Sequence, residues 1–151
     1  MEEFEMWRDQ LLKIKKDLEQ YSFEMNDGAT EEELSAFEKA CLIELGMELP
    51  KDYADVLRTV NGLDYDGLNL YGIDAEYCKS ELKEKTDGLI ERNHFWHCND
   101  WDQAYLFVGN SDMSWYVYNP ENMVYSELDL PSGTKIQDYP DLNAMMDNIL
   151  S

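Results

Sequence analysis

The run from His94 to Asp102 is the part of the sequence richest in groups that could do chemistry. It reads HFWHCNDWD and contains both histidines of the chain, one cysteine and two aspartates. Imidazole, thiolate and carboxylate are the ligands that transition metals take in proteins. A structural zinc site needs four ligands at characteristic spacings, and no second cluster in the sequence completes such a set. We therefore predict no metal and interpret the run as an aromatic-rich corner packed on a sheet.

The stretch Asp64-Tyr65-Asp66-Gly67 begins like a calcium-binding loop. An EF-hand loop needs further oxygen ligands at its later positions and a closing glutamate. Those positions fall on residues whose side chains carry no oxygen: Leu68, Leu70, Gly72 and Ala75. We interpret the stretch as an acidic turn before a strand.

Catalytic motifs are absent from the sequence. There is no Gly-x-Ser-x-Gly elbow, no phosphate-cradling glycine loop and no dinucleotide fingerprint. A pairing of Cys41 or Cys98 with His94 or His97 stays open at this point, and the many carboxylates make any one pair uninformative. Because catalysis requires a positioned nucleophile and base, we predict a binding protein with no catalytic residue and no cofactor.

Charge is the strongest global property of the chain. The chain contains 12 lysines and arginines and 33 aspartates and glutamates, which gives a formal net charge of -21. This excess argues against nucleic acid and against an anionic membrane as direct partners, because both would be repelled. It favours a basic protein partner, although solubility alone would also explain it.

Length and cysteine content place the chain among ordinary globular proteins. A chain of 151 residues suffices for one domain with its own core. Met1-Glu2-Glu3 does not resemble a signal peptide, and no apolar run approaches the length of a membrane helix. Three widely spaced cysteines are typical of reduced thiols, so we expect a cytoplasmic protein.

The segment 29–73 is the predicted folding nucleus that positions the remaining elements. Thr30 and Glu33 form a capping box, and Gly46 suits a left-handed helix stop. Pro50 is then expected at the first position of a second helix. The spacing of the apolar residues of that helix predicts one buried face, formed by Tyr53, Val56, Leu57 and Val60.

The remaining elements follow from the same patterns. A heptad-like seam from Phe4 to Tyr21 predicts a first helix over 5–21 that lies on its own domain. Asp74 is expected to cap a helix with Ala75, Cys78 and Leu82 on one face, interrupted at Gly88 before a short segment 89–93. A three-stranded meander is predicted over 105–109, 115–119 and 123–128, and a closing helix over 138–150.

These elements predict an α+β fold in one domain, residues 1–151. Residues 1–28 form the N-terminal helix and its connector, and residues 29–151 form the core. The sheet is expected to be mostly antiparallel, flanked by the N-terminal helices and the C-terminal helix.

An ordered set of residues in the nucleus resembles the motif of the SUKH superfamily. The set comprises Glu38, Leu45-Gly46, Leu49-Pro50, Asp52-Tyr53, Leu57 and Asn61-Gly62. That superfamily unites fungal cell-wall assembly regulators with bacterial immunity proteins of polymorphic toxin systems, and the later chain is most similar to its YrhA-like subgroup. The resemblance extends from about Thr30 to the end of the chain.

The resemblance implies a non-catalytic intracellular protein that neutralises a cognate toxin by direct contact, with a basic, nuclease-type toxin as the partner that the charge favours. The alternative is a housekeeping regulator or scaffold without a toxin partner. Aromatic anchors rimmed by charge suit such an interface, although Trp115 could equally be buried in the core. The oligomeric state stays open. The predicted partner-binding residues are Asp64, Tyr65, Asp66, Asp100, Trp101, Asp102, Asp112 and Trp115.

Overall fold

The computed structural model describes residues 6–151 as an α+β fold of five helices and six strands. The helices are α1 (Met6–Gln20), α2 (Glu31–Leu45), α3 (Lys51–Thr59), α4 (Leu89–Trp96) and α5 (Leu142–Leu150). The strands are β1 (Leu63–Tyr65), β2 (Leu68–Leu70), β3 (Leu106–Asn110), β4 (Ser114–Asn119), β5 (Val124–Asp129) and β6 (Lys135–Tyr139).

The six strands form one antiparallel sheet in sequence order, β1 to β6. Because each strand pairs with its neighbour in the chain, the β1–β2, β3–β4 and β5–β6 connections all lie at one end of the sheet. The β4–β5 turn lies at the other end. This order brings three chain reversals, distant in sequence, to one edge of the molecule.

Helices cover both faces of the sheet. On one face the Tyr125 hydroxyl donates to Asp52 of α3 at 2.6 Å, and Asn148 of α5 donates to the Tyr139 hydroxyl at 2.8 Å. Side chains alternate along a strand, so Trp115 points to the opposite face, where Trp96 of α4 packs against it. The sheet is therefore the middle layer of the core.

Helix α1 packs on α5 through its buried Trp7, Leu11 and Ile14. The Trp7 indole donates to Asn143 Oδ1 at 2.8 Å. The prediction of a helix that lies on its own domain is confirmed. Phe4, the first residue of the predicted seam, lies outside the described residues.

The nucleus forms as predicted, with one shift. Thr30 Oγ1 accepts from the Glu33 amide at 3.1 Å, Glu33 Oε1 accepts from the Thr30 amide at 2.8 Å, and Gly46 ends α2 at φ 68°. Pro50 stands just before α3 with extended ψ, not at its first helical position. The predicted face of α3 is buried.

The predicted helix after Asp74 is wrong. Only a 3-10 turn, Ala75–Tyr77, is present before an irregular segment that runs to Gly88. Two side chains from earlier in the chain accept hydrogen bonds from backbone amides of this polar segment. Glu33 Oε2 accepts from the Lys79 amide at 2.7 Å, and Asn26 Oδ1 accepts from the Glu84 amide at 2.8 Å. These long-range hydrogen bonds replace the helical ones.

The predicted sheet was incomplete. Asp64 and Tyr65 belong to β1 and not to a turn; the turn is Asp66-Gly67, at φ 51° and 84°, the positive-φ pair of a tight hairpin. Strand β6 was not predicted, and its last two residues, Asp138 and Tyr139, were assigned to the start of the last helix. Its first four side chains are exposed, so it shows no alternation, and α5 begins only after its N-cap Asp141.

Candidate protein-binding surface

A row of side chains crosses four strands on the face that carries Trp115. The register pairs Asp64 with Asn69, Asn69 with Asn110, and Asn110 with Trp115. Residues directly opposite each other in a sheet point to the same side. The row therefore connects the exposed carboxylate of Asp64 at the β1 edge to the aromatic side chain of Trp115.

The chain reversals at one end of the sheet add two further carboxylates. Asp66 and Asp112 are exposed at the β1–β2 and β3–β4 turns. The turns are adjacent, since a β-carbon placed on Gly67 would lie 3.8 Å from Asp112 Oδ2. The β5–β6 loop joins them through a hydrogen bond from the Leu130 amide to the Met113 carbonyl, 3.0 Å long.

Trp101 lies on this end of the sheet and is anchored by a glycine. Its ring covers Gly133, where a β-carbon would approach the ring to 2.5 Å, and Gly133 has φ 80°. The Trp101 ring centroid lies 5.9 Å from that of Trp115. Trp101 is 39% exposed, whereas Trp115 beneath it is only 7% exposed. Trp115 is therefore the buried member of the pair, and Trp101 is the member whose ring is accessible to a partner.

The base of this surface is a packed aromatic cluster, formed by Trp96, Phe107 and Trp115. The Trp115 centroid lies 5.2 Å from Trp96 and 5.6 Å from Phe107. The Trp96 indole donates to the Tyr71 hydroxyl at 2.8 Å, and that hydroxyl donates to Asn110 Oδ1 at 2.6 Å. Aromatic packing and a hydrogen-bonded chain thus fix α4 to β3, to β4 and to Tyr71, the residue that follows β2.

Helix α4 is capped by a residue far from it in sequence. Asp74 accepts from the Ile90 and Glu91 amides, each at 2.9 Å. Burial raises the pKa of this carboxyl, against the lowering effect of the two amides. Gly88 leaves room for the arrangement, because a methyl group there would collide with the Asp74 carboxylate.

We use the name acidic end for the surface formed by Trp101 and the exposed carboxylates of Asp64, Asp66, Asp100 and Asp112. It presents one aromatic ring among negative charges at the turn end of the sheet. Such an arrangement suits contact with a protein, because an aromatic anchor contributes area and the charged rim selects the partner.

Comparison with known protein families decides the relationship of the chain. The model of the SMI1 / KNR4 family (SUKH-1) matches residues 28–148. The chain belongs to the SMI1/KNR4 family. The match establishes the SUKH superfamily, while the YrhA-like subgroup stays a prediction. A search of curated proteins finds none that matches.

The match spans α2 to α5, so this SMI1/KNR4 member carries α1 in addition to the matched segment. Within residues 6–151, no helix combines the length and the apolarity needed to cross a membrane.

The predicted partner-binding residues of this SMI1/KNR4 protein divide by exposure. Asp64, Asp66, Asp100, Trp101 and Asp112 belong to the acidic end, and their role in binding stays a prediction.

The other three predicted residues have partners inside the protein. Tyr65 is half-buried and donates to Asp17 Oδ2 of α1 at 2.7 Å, which raises the pKa of its phenol. Asp102 is buried and accepts from the Asn99 amide at 3.1 and 3.2 Å. Trp115 is buried in the aromatic cluster. These three residues position the surface instead of presenting a free group.

The chemically suggestive side chains around His94 point apart. His94 lies 3.4 Å from Glu44 of α2, whereas a ring nitrogen of His97 lies 2.8 Å from the Tyr105 carbonyl. Cys98 is exposed and contacts Asn99. In the described part of the chain, no three His, Cys, Asp or Glu side chains are grouped to hold a metal.

The nucleophile and base that the sequence left open are not brought together. No hydrogen bond among residues 6–151 joins a cysteine to a histidine. Cys41 is buried, and burial raises the pKa of its thiol to about 12. At neutral pH that group is a protonated core thiol, which is a poor nucleophile.

Sequence reasoning missed two parts of the surface. Asn69 and Asn110 enter the row only through strand register, which a sequence does not specify for short polar strands. Phe95 lies beside Trp96 and is 62% exposed. The sequence analysis placed it in an aromatic corner and did not include it among the partner-binding residues. The aromatic density of 95–101 was the available signal.

Proposed function

We propose that the protein is a bacterial immunity protein that acts in the cytoplasm and neutralises a basic toxin domain by direct contact through the acidic end. The observation that carries this proposal is the placement of exposed Asp66 and Asp112 at adjacent turns, at the same end of the sheet as the exposed ring of Trp101, which follows Asp100 in the chain. Membership of the SMI1/KNR4 family is compatible with it.

The electrostatics support rapid capture of a basic partner. A formal net charge of -21 attracts a cationic surface before contact, and complementary charge mainly accelerates association. Nuclease-type toxins bind phosphate and therefore carry positive active-site surfaces. A protein that covers such a surface with carboxylates would block its substrate.

The same family membership is equally compatible with a regulator or scaffold without a toxin partner. The two functions differ in the partner: an immunity protein must bind a toxin encoded beside it, whereas a scaffold binds another cellular protein. The identity of the captured protein separates them.

The proposal is tested by association kinetics with a candidate toxin domain from a neighbouring reading frame. The test variant carries asparagine at the four carboxylates of the acidic end: Asp64, Asp66, Asp100 and Asp112. Asp102 is left unchanged because its buried carboxylate holds the Asn99 amide. The control variant neutralises four carboxylates outside the acidic end: Asp9, Glu38, Glu76 and Glu81.

Both variants carry the same net charge, so they separate a local contact from general attraction. We expect the association rate constant of the test variant to fall about tenfold more than that of the control variant. We also expect it to depend less on salt, because electrostatic steering acts over only about 8 Å at physiological salt. Equal rates for the two variants would exclude the acidic end as the contact.

Trp101 gives a second, independent test. Trp101→Ala should accelerate dissociation about tenfold or more, as expected for an aromatic anchor. Phe23→Ala removes another exposed aromatic side chain as the control. If both substitutions leave dissociation unchanged, Trp101 is not an anchor.

A further inference from the structure

A groove lies at the other end of the sheet from the chain reversals of the acidic end. One wall is the α2–α3 connection, 46–52, and the other is the end of β4 with the β4–β5 turn, 118–123. Ala104 also lines the groove, whose volume is about 1040 Å³. This size is that of a binding site for a peptide segment or a large ligand.

Methionines stand on both walls of the groove, Met47 on one and Met123 on the other. The methionine side chain is flexible and polarizable, and it adapts to differently shaped partners. Met123 is 73% exposed.

The backbone at Met123 has a conformation that its side chain does not favour. Its φ is 61°, in the left-handed region that glycine and asparagine occupy most readily. Because the side chain is exposed, it contributes little packing to the fold. Met123 closes the β4–β5 turn, where its amide donates to the Asn119 carbonyl at 2.7 Å. The turn therefore holds an exposed apolar side chain at the rim of the groove, available for a contact outside the chain.

The rim of the groove is negatively charged. Glu48, Asp52 and Glu121 line it together with a single lysine, Lys51. Within residues 6–151, the side chains of Glu48 and Glu121 form no hydrogen bond or ion pair. The pKa of Tyr118, on the β4 wall, is raised mainly by burial and to a smaller extent by the negative charges of Asp52 and Glu48. The groove therefore combines apolar lining residues, among them Leu49, Pro50 and Met123, with the unpaired carboxylates of Glu48 and Glu121.

The strands beside the groove offer no free edge to an extended peptide. β4 pairs with β3 on one side and with β5 on the other, and β5 pairs further with β6. Addition of a strand needs an unpaired edge, so that mode is excluded here. A helical turn about 10 Å wide and 5.4 Å long fills about 420 Å³, so the groove has room for a short helical segment.

We propose that this groove is a second docking site, which takes a basic amphipathic helix of a partner protein, with its apolar side chains between Met47 and Met123 and its lysines or arginines against Glu48 and Glu121. The site is independent of the acidic end. Either proposal can fail while the other holds.

The full chain and a fluorescent model peptide test the site. The probe is an amphipathic helix of leucine and lysine about 18 residues long, enough to form a helix when bound. Three comparison peptides separate the possible modes: a scrambled peptide of the same composition, a leucine–glutamate helix, and a basic polyproline peptide. We expect the leucine–lysine helix to bind at least about tenfold more tightly than each of the others.

Matched variants locate the binding on the protein. Met123→Ser should weaken binding of the basic helix about tenfold, the effect of one buried methionine side chain. Glu48→Gln with Glu121→Gln should weaken it severalfold at low salt and less at high salt. Met113→Ser is the control, since Met113 is 72% exposed but lies in the β3–β4 turn at the other end of the sheet.

Methyl NMR of the wild-type chain gives an answer that needs no substitution. The basic helix should shift the methyl signals of Met47 and Met123 and leave that of Met113 in place. The proposal is overturned if the scrambled or polyproline peptide binds equally well, if Met113→Ser weakens binding as much as Met123→Ser, or if the signals of Met47 and Met123 do not move.

Discussion

Substitution of Asp74 by alanine tests how the fold positions the aromatic cluster. Asp74 is buried and accepts two amides of the first turn of α4, Ile90 and Glu91, each at 2.9 Å. Loss of a helix cap costs about 1 kcal/mol. The buried Ile90 amide would also lose its partner, which costs about 1–3 kcal/mol more. We therefore expect the free energy of unfolding to fall by about 2–4 kcal/mol.

The assay is urea unfolding followed by tryptophan fluorescence, because Trp96 lies at the end of the same helix. Asp141→Ala is the matched control: Asp141 also caps a helix, α5, through the Ala144 amide at 2.8 Å, but it is exposed and local in sequence. It should cost only about 1 kcal/mol. If Asp74→Ala costs no more than the control, the long-range cap does not hold α4, and our account of the cluster is refuted.

Further outcomes follow from the core and from the candidate site. Leu57→Ala should cost about 2–5 kcal/mol, since Leu57 is fully buried on α3; an unchanged denaturant midpoint would contradict this placement. Tyr53→Phe should cost about 1–3 kcal/mol, because the buried Tyr53 hydroxyl donates to the Tyr71 carbonyl at 2.6 Å; a neutral substitution would show that this carbonyl finds another donor. Burial raises the pKa of Asp74, so this carboxyl holds its proton more tightly in the folded state than in the unfolded one. Its contribution to stability should therefore fall as pH rises from its unfolded pKa, about 4, to its raised folded pKa; Asp74→Asn should abolish this component, and an identical pH profile would exclude it. Elemental analysis of protein purified without added metal should find no stoichiometric zinc, and one tightly held metal per chain would refute our interpretation of His94, His97 and Cys98.

Local patterns in the sequence predicted the two helices of the nucleus correctly, apart from the position of Pro50. The capping box at Thr30, the glycine stop at Gly46 and the apolar face of α3 all depend on contacts within a few residues. Such contacts are set by side-chain chemistry and helical spacing alone.

Elements held by distant contacts were not predictable in the same way. Residues 78–88 lack a helix because side chains far away in sequence bind their backbone, such as Asn26 at Glu84. Strand β6 is an exposed edge without alternation, and β1 is only three residues long. Neither strand has a periodicity that a sequence could reveal.

The candidate site was predictable in composition and not in geometry. The acidic and aromatic segments around Asp66 and Trp101 were identified from residue type. Their placement at the same end of the sheet depends on strand order, which puts three chain reversals there. Asp102 is buried and accepts from the Asn99 amide, which residue type alone did not reveal.

Protection of cells from a toxin tests the central claim most directly. The toxin domain encoded next to this gene is expressed alone, with the wild-type chain, and with the variant that neutralises Asp64, Asp66, Asp100 and Asp112. We expect the wild-type chain to restore growth and the variant to protect less at equal abundance, because slower capture leaves more free toxin. If cells die equally with and without the wild-type chain, it is not an immunity protein for that toxin.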